Sequence, residues 1–216
     1  MAATGTLPTA RPVGGLVLAF WRQGWAGLRV LLVLSVLLGV AYPLAMTGVG
    51  QALFAWQANG SLLTAAGART SDRSQAVGSA LIGQQFEGDA WFYPRPSVAG
   101  DGYDTLASAG SNLGPLSTDL LATVEERRAQ VAAEDGVAPG RVPPDAVTAS
   151  GSGLDPDISP AYARLQVARV AAARGVPAAD VATIVDRLVV GRDLGVLGEP
   201  RVNVLRLNLA LRTMGS

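Results

Sequence analysis

The sequence predicts a single transmembrane α-helix followed by one α+β extracytoplasmic domain, and three observations carry that prediction. Val30 to Val49 is an uncharged, mostly apolar run of twenty residues. Arg11, Arg22 and Arg29 are the only charges before Arg69, and no acidic residue precedes Asp72. From Arg69 on, all 17 acidic residues are scattered among short apolar runs and Gly- and Pro-rich segments.

Each element can be justified in order. Residues 1–27 read as a small flexible cytoplasmic tail. Residues 28–50 read as the span, because roughly twenty apolar residues rising ~1.5 Å each cross a ~30 Å hydrocarbon core. In lipid such a segment has to be helical, since an open strand would leave backbone groups without partners. Arginines before the span and none just after it hold the N-terminus in the cytoplasm and put the rest of the chain outside. A cleaved signal peptide fits less well. Its apolar core would be ~7–15 residues behind a short basic region, and Pro43 stands where a small residue is wanted for cleavage. A buried core helix fails on length and on the missing polar face. Pro43 should kink the span or mark its outer end. Trp21, Trp25, Tyr42 and Trp56 suit interfacial depths.

Residues 51–77 read as a juxtamembrane connector, in which Asn59-Gly-Ser61 is a turn rather than a glycosylation acceptor. The α+β domain then covers residues 78–216. Gly78–Gly83 and Ala90–Tyr93 are expected strands, and Pro94 to Pro115 an irregular loop of a length that is usually functional or disordered. Ser117 should cap a helix running to about Ala133. Pro139 to Pro144 is a connector and Ala146-Val-Thr148 a short strand. Ser159, Pro160 and Gly175 give a helix a full set of start and stop signals, and a second helix covers about Ala178 to Val190. Val202 to Leu211 alternates apolar and polar from Leu205 and reads as a strand.

Composition removes whole classes of chemistry. The chain has no His and no Cys, which excludes Ser-His-Asp and Cys-His nucleophile systems and ordinary zinc sites. Every one of its 17 basic residues is Arg, so a Walker A loop, a Schiff base and a Ser-Lys dyad are excluded too. Only carboxylate chemistry survives, with Glu87, Asp155, Asp157 and Glu199 as candidates. The outer part carries a small acidic excess and no clustered basic surface, so nucleic acid is not a partner. No catalytic residue and no metal ligand set is assigned, and no intrinsic cofactor.

Three loops stand out: Gly110-Ser-Asn-Leu-Gly-Pro115, the stretch Thr148 to Pro160 with Ser150, Gly151, Ser152, Gly153, Asp155 and Asp157, and Gly198-Glu-Pro-Arg201. The second leads into the well-capped helix, whose free N–H groups suit an anion, while its two aspartates suit a cation. Capping by Ser159 alone also explains the pattern.

With these loops, the segments Tyr42-Pro43, Gly50-Gln51, Gln57-Ala-Asn-Gly-Ser-Leu62, Gly78-Ser-Ala-Leu-Ile-Gly-Gln84 and Phe92-Tyr-Pro-Arg-Pro-Ser97 form an ordered series. It continues through Gln166-Val-Ala-Arg-Val170, Gly198-Glu-Pro-Arg-Val-Asn-Val204 and Leu207-Asn-Leu-Ala-Leu211. The series resembles the C subunit family of the bacterial Kdp potassium-transporting P-type ATPases, over nearly the whole chain after the tail. Two positions depart: Ala109 where the family often has glycine, and Asp157 where many members have histidine, which argues against a required imidazole there.

The resemblance implies a non-catalytic subunit of an inner-membrane complex. Its partners would be a channel-like potassium-selective subunit, a P-type ATP-hydrolysing subunit and the lipid bilayer, with potassium as the transported ion. The family is described as an assembly factor and as a catalytic chaperone raising ATP affinity, and carries an ATP-binding attribution. With the domain outside and ATP inside, scaffold and potassium-entrance roles fit better than direct nucleotide contact. Ser150, Gly151, Ser152, Gly153, Asp155 and Asp157 are the expected ligand or ion residues, and Arg95, Asn112 and Asn203 the expected partner contacts. The alternatives are an anchored carboxylate enzyme and an anchored extracytoplasmic ligand-binding or sensor domain with Pro94–Pro115 as its lid.

Overall fold

The computed structural model describes residues 13–214. The chain divides into two compact units, the first ending at Ala58 and the second beginning at Asn59.

The first unit is a helical rod. α1 (Val13–Val36) passes through a π turn (Leu37–Ala41) into α2 (Tyr42–Leu53), and a single helical turn, α3 (Ala55–Ala58), follows. Within it Val17–Leu53 is a stretch of 37 residues, long and apolar enough to cross a membrane, with none of its most apolar part buried by protein. The helix is longer than the expected 28–50 at both ends. Residues 13–27, expected as flexible tail, are helical, because Val17 to Leu28 contains no proline and only Arg22 and Gln23 as strongly polar residues. Residues 1–12 of that tail lie outside the described residues. Pro43 does not end the span. Its ring has no N–H to bond back to Gly39, so the preceding turn widens and the Tyr42 N–H reaches Leu37 O instead. Thr47 Oγ1 donates to Pro43 O at 2.8 Å, one turn further on.

The second unit begins with a turn at Gly60 and Ser61, both at positive φ. β1 (Leu62–Thr64) then pairs antiparallel with β2 (Ala76–Ser79), Leu63 opposite Gly78, with a bulge at Thr64. Leu63 is completely buried. Residues 59–77 therefore belong to the domain rather than to a connector. Strands of three and four residues are too short to show the alternation that would have revealed them. Of Gly78–Gly83 only the first two residues are strand. Ala90–Tyr93 pairs with no strand, and its backbone is satisfied by side chains described below.

α4 (Thr118–Glu134) starts at Ser117, whose hydroxyl accepts from the Leu120 N–H. Short 3₁₀ turns follow at Pro139–Arg141 and Pro144–Ala146. The second replaces the strand expected at Ala146–Thr148, since Pro143 and Pro144 fix φ near the turn value and Pro144 O accepts from Thr148 Oγ1 at 2.8 Å. α5 (Pro160–Arg174) and α6 (Ala178–Leu188) match expectation closely. Ser159 Oγ accepts from the Tyr162 N–H, and Gly175 closes α5 at φ +67°.

The C-terminal segment differs most. β3 (Asp157–Ile158) pairs antiparallel with β4 (Val202–Asn203), and Val204–Arg212 is then a helix, α7. Val204, Leu205, Leu207, Asn208, Leu209 and Leu211 are all buried. The open face of α7 is narrow, Arg206 and Ala210 leading to the exposed Thr213, and the buried Asn208 interrupts the apolar side, which produces the alternation at Leu205–Leu211. The discriminating signal was the cap: Asn203 Oδ1 accepts from the Arg206 N–H at 3.1 Å. The main core joins α5, α6 and α7 with Phe92, Val147, Ile158 and Val202.

Candidate functional site

The site is assembled where the second and third of the Gly-rich loops meet the strand pair β3–β4. Arg95, Asp155, Asp157 and Asn203, far apart in sequence, converge there. Arg95 Nη1 donates to Asp155 Oδ2 at 3.0 Å, and Nη2 donates to Thr148 O at 3.3 Å. Asp155 Oδ1 accepts from the Asp157 N–H at 3.0 Å. Asn203 Nδ2 donates both to Asp157 Oδ1 at 3.0 Å and to Ala80 O at 2.9 Å. Arg201 Nε stands 3.5 Å from Asp157 Oδ2. Each predicted aspartate is thus within ion-pair reach of an arginine. Arg95, Asp155, Asp157 and Arg201, with Asp145 and Glu199, line an open cleft of about 550 Å³.

The electrostatics follow from partial burial. Burial and the neighbouring Asp155 push the Asp157 carboxyl above its ordinary range, while Asn203 and Arg201 oppose the shift. Burial, with Asp155 nearby, also pushes the Tyr103 phenol up. That phenol donates a short hydrogen bond to Arg95 O, fixing the backbone beside the Arg95–Asp155 pair.

Gly153 and the Ser152 carbonyl of the second loop are engaged by the neighbouring loops. Ser97 Oγ donates to Gly153 O at 2.6 Å, and Ser152 O accepts from the Ala109 N–H at 3.0 Å and from Ser108 Oγ at 2.9 Å. Ser150 and Ser152 hydroxyls lie 3.4 Å apart. Gly153 has φ +67°, and a Cβ there would stand 2.7 Å from Ala109 O and 2.9 Å from Ala99 N. Gly151 is exposed, with open space around the position of a Cβ. Asn112 sits on an exposed stretch at φ +52°. The hydrogen bonds described above for the cleft do not include it.

Asp145 went unrecognised in the sequence, lying beside the proline connector without any periodic signal. Its Oδ2 accepts from the Ser159 N–H at 2.7 Å and its Oδ1 from Ser159 Oγ at 2.9 Å. The N-terminus of α5, the anion position the sequence suggested, therefore already holds the protein's own carboxylate. A second feature missed is an arm at residues 190–201. Val190 bridges Arg201 and Asp193 bridges Leu197, and ion pairs link Arg192 with Glu199 and Arg201 with Asp193. Its tip exposes Leu194, Val196 and Leu197.

Among the described residues no group of three or more His, Cys, Asp or Glu is placed to hold a metal ion. A membrane-anchored mixed α+β domain, its loops pinned by paired charges, has the form of a subunit of a membrane assembly. The family model described as K+-transporting ATPase, c chain, matches residues 24–213, and the chain belongs to that KdpC family. It is 59% identical over 192 residues to the potassium-transporting ATPase KdpC subunit of Kineococcus radiotolerans, covering 89% of this chain and 94% of that protein. The corresponding subunit of Gemmatimonas aurantiaca is 55% identical over 184 residues, 85% of this chain and 88% of its own length. That of Caulobacter vibrioides is 57% identical over 178 residues, 82% and 86% respectively.

Proposed function

We infer that this chain is an accessory subunit of a potassium-transporting ATPase, holding together a channel-like potassium-selective subunit and a P-type ATP-hydrolysing subunit. Family membership supports the complex and the transported ion. The arginine asymmetry of the first 29 residues supports a cytoplasmic N-terminus and an extracytoplasmic domain, anchored in a bacterial inner membrane.

The observation that carries the scaffold reading is the pair of pins, Arg95–Asp155 and Asn203–Asp157, which tie the long loop, the Gly-rich loop and the start of α7 into one surface. A surface ordered before binding loses less entropy on docking than a free loop. The pairing also changes the expected role of Asp155 and Asp157. With arginines beside both carboxylates, the net field they offer to potassium is small, so they fasten loops rather than steer ions. Any effect on ATP affinity is exerted through the partner subunit, since Asp145 already places a carboxylate at the N-cap of α5.

The test is co-purification of the three subunits, with ATPase activity measured against potassium at two ionic strengths. Arg95→Ala should lower recovery of the intact complex. Asp155→Asn with Asp157→Asn should leave the potassium requirement unchanged at low salt. A requirement that rises in the double variant and recovers with an untransported salt would restore an entrance role. Full recovery of the complex with Arg95→Ala would remove the pins from the assembly surface.

A further inference from the structure

The membrane helix is longer than a bilayer requires. Val13–Leu53, helical throughout, spans about 60 Å, roughly twice a hydrocarbon core. With the uncharged run Val30–Val49 in that core, Val13–Arg29 extends about 25 Å past its N-terminal edge. That extension is not built for water: Val17, Leu18, Phe20, Trp21, Trp25 and Leu28 are all exposed, Phe20 by 84% and Trp21 by 74%.

Its two cations have a distinct placement. Arg22 and Arg29 are seven residues apart and so share a helix face. Trp25 lies between them, and the Arg29 guanidinium sits over its ring, 5.3 Å from the centroid. No acidic residue occurs before Asp72, so this unit contains no side-chain anion for either arginine. An apolar helix with a stripe of cations and indoles needs surroundings that are greasy on most sides and anionic along one. The headgroup boundary of a bilayer has that composition, with acyl chains against Leu28 and phosphates within reach of the long arginine side chains.

We propose that Arg22, Trp25 and Arg29 form a binding stripe for the phosphates of anionic phospholipids, and that it fixes the N-terminal end of the span at the headgroup layer. Guanidinium groups suit this ligand because their fork of donors matches phosphate oxygens two at a time. Stacking on Trp25 keeps the Arg29 plane ordered for that contact. The proposal needs the helix to be in the membrane but does not depend on which side its N-terminus faces.

The test uses the full chain in phosphatidylcholine bilayers carrying a trace of spin-labelled phosphatidylglycerol or spin-labelled phosphatidylcholine. The fraction of each label slowed by the protein is read by electron paramagnetic resonance. The wild-type chain should hold phosphatidylglycerol over phosphatidylcholine by at least about two-fold. Arg22→Gln with Arg29→Gln should bring that ratio near one, as should high salt, while a double change to Lys should keep most of it. Parity in the wild-type chain, or an undiminished ratio in the Gln double variant, would overturn the proposal. A Gln double variant with an unchanged lipid ratio that no longer co-purifies with the ATPase subunits would assign the stripe to a protein partner, also overturning it.

Discussion

Asn208 on α7 closes both backbone hydrogen bonds of Phe92. The Phe92 N–H donates to Asn208 Oδ1 at 2.9 Å, and Asn208 Nδ2 donates to Phe92 O at 3.0 Å. Gln166 on α5 does the same for the next residue, its Oε1 accepting from the Tyr93 N–H at 2.7 Å and its Nε2 donating to Tyr93 O at 3.1 Å. Two side-chain amides thus stand in for neighbouring strands on opposite edges of one extended segment. Arg169 ties the arrangement together. It pairs with the buried Asp135 at 2.8 Å, donates to Gln166 Oε1, and stacks over the Tyr93 ring.

Replacing Asn208 should therefore cost more than its side chain's size suggests. Asn208→Leu strands two completely buried backbone groups at about 1–3 kcal/mol each, giving a total loss of roughly 2–6 kcal/mol. Asn208→Asp keeps the acceptor but sets a carboxylate oxygen against Phe92 O in a buried site, and should cost at least as much. Denaturant unfolding of the full chain in detergent, followed by far-UV circular dichroism, measures both. A Leu variant within about 0.5 kcal/mol of wild type would show that Phe92 finds other partners.

Gly153 and Gly151 should behave oppositely although they are two residues apart. Gly153→Ala combines positive φ with a Cβ 2.7 Å from Ala109 O, a backbone atom that cannot swing aside. The expected loss is about 2 kcal/mol or more. Gly151→Ala has open space and should change stability by less than about 0.5 kcal/mol. Melting temperatures of the two variants decide the matter.

The raised Asp157 carboxyl fixes the sign of a pH effect. Burial makes the folded protein hold this proton more tightly than the unfolded chain does. The corresponding stability is fully present below the ordinary carboxylate value and is lost as pH rises through the raised folded value. The stability of wild type relative to Asp157→Asn should therefore fall as pH climbs from about 4 towards neutrality. Parallel stability–pH curves for the two proteins would show that Asp157 titrates as it does in the unfolded chain.

Orientation can be read by labelling. A cysteine at the exposed Ser71 should react with an impermeant thiol reagent from outside intact cells, and one at Thr6, outside the described residues, should not. The reverse pattern would place the domain in the cytoplasm. Separately, Leu37→Arg puts a charge inside the span at about 2.5–3.5 kcal/mol on insertion scales. Membrane yield should drop, and an unchanged yield would mean the span lies elsewhere.

What the sequence revealed divides along physical lines. α5 was legible because Ser159, Pro160 and Gly175 act locally, each through its own backbone conformation. The span was legible because twenty uncharged residues have few other uses. The pins drew notice only as residue types: Arg95, Asp155, Asp157 and Asn203 were picked out separately, while their meeting depends on β3 pairing with β4, a contact between two-residue strands that leaves no periodicity. Ala90–Tyr93 looked like a strand and is extended, yet nothing local says that Asn208, 116 residues away, supplies its partner. α7 reads as a strand because the buried Asn208 breaks its apolar side and its open face is narrow, leaving the Asn203 cap as the clearer mark.

The π turn at Leu37–Ala41 has a consequence for how neighbours meet the membrane helix. A widened turn takes in about one extra residue, which rotates everything after it by roughly 100° against everything before it. Side chains of α1 and α2 that a simple 3.6-residue count would put in one column thus stand in two columns, offset around the axis at Pro43. A straight helix lying alongside could interlock with one column and would drift out of step with the other. A single-residue deletion in the π turn would realign the two columns.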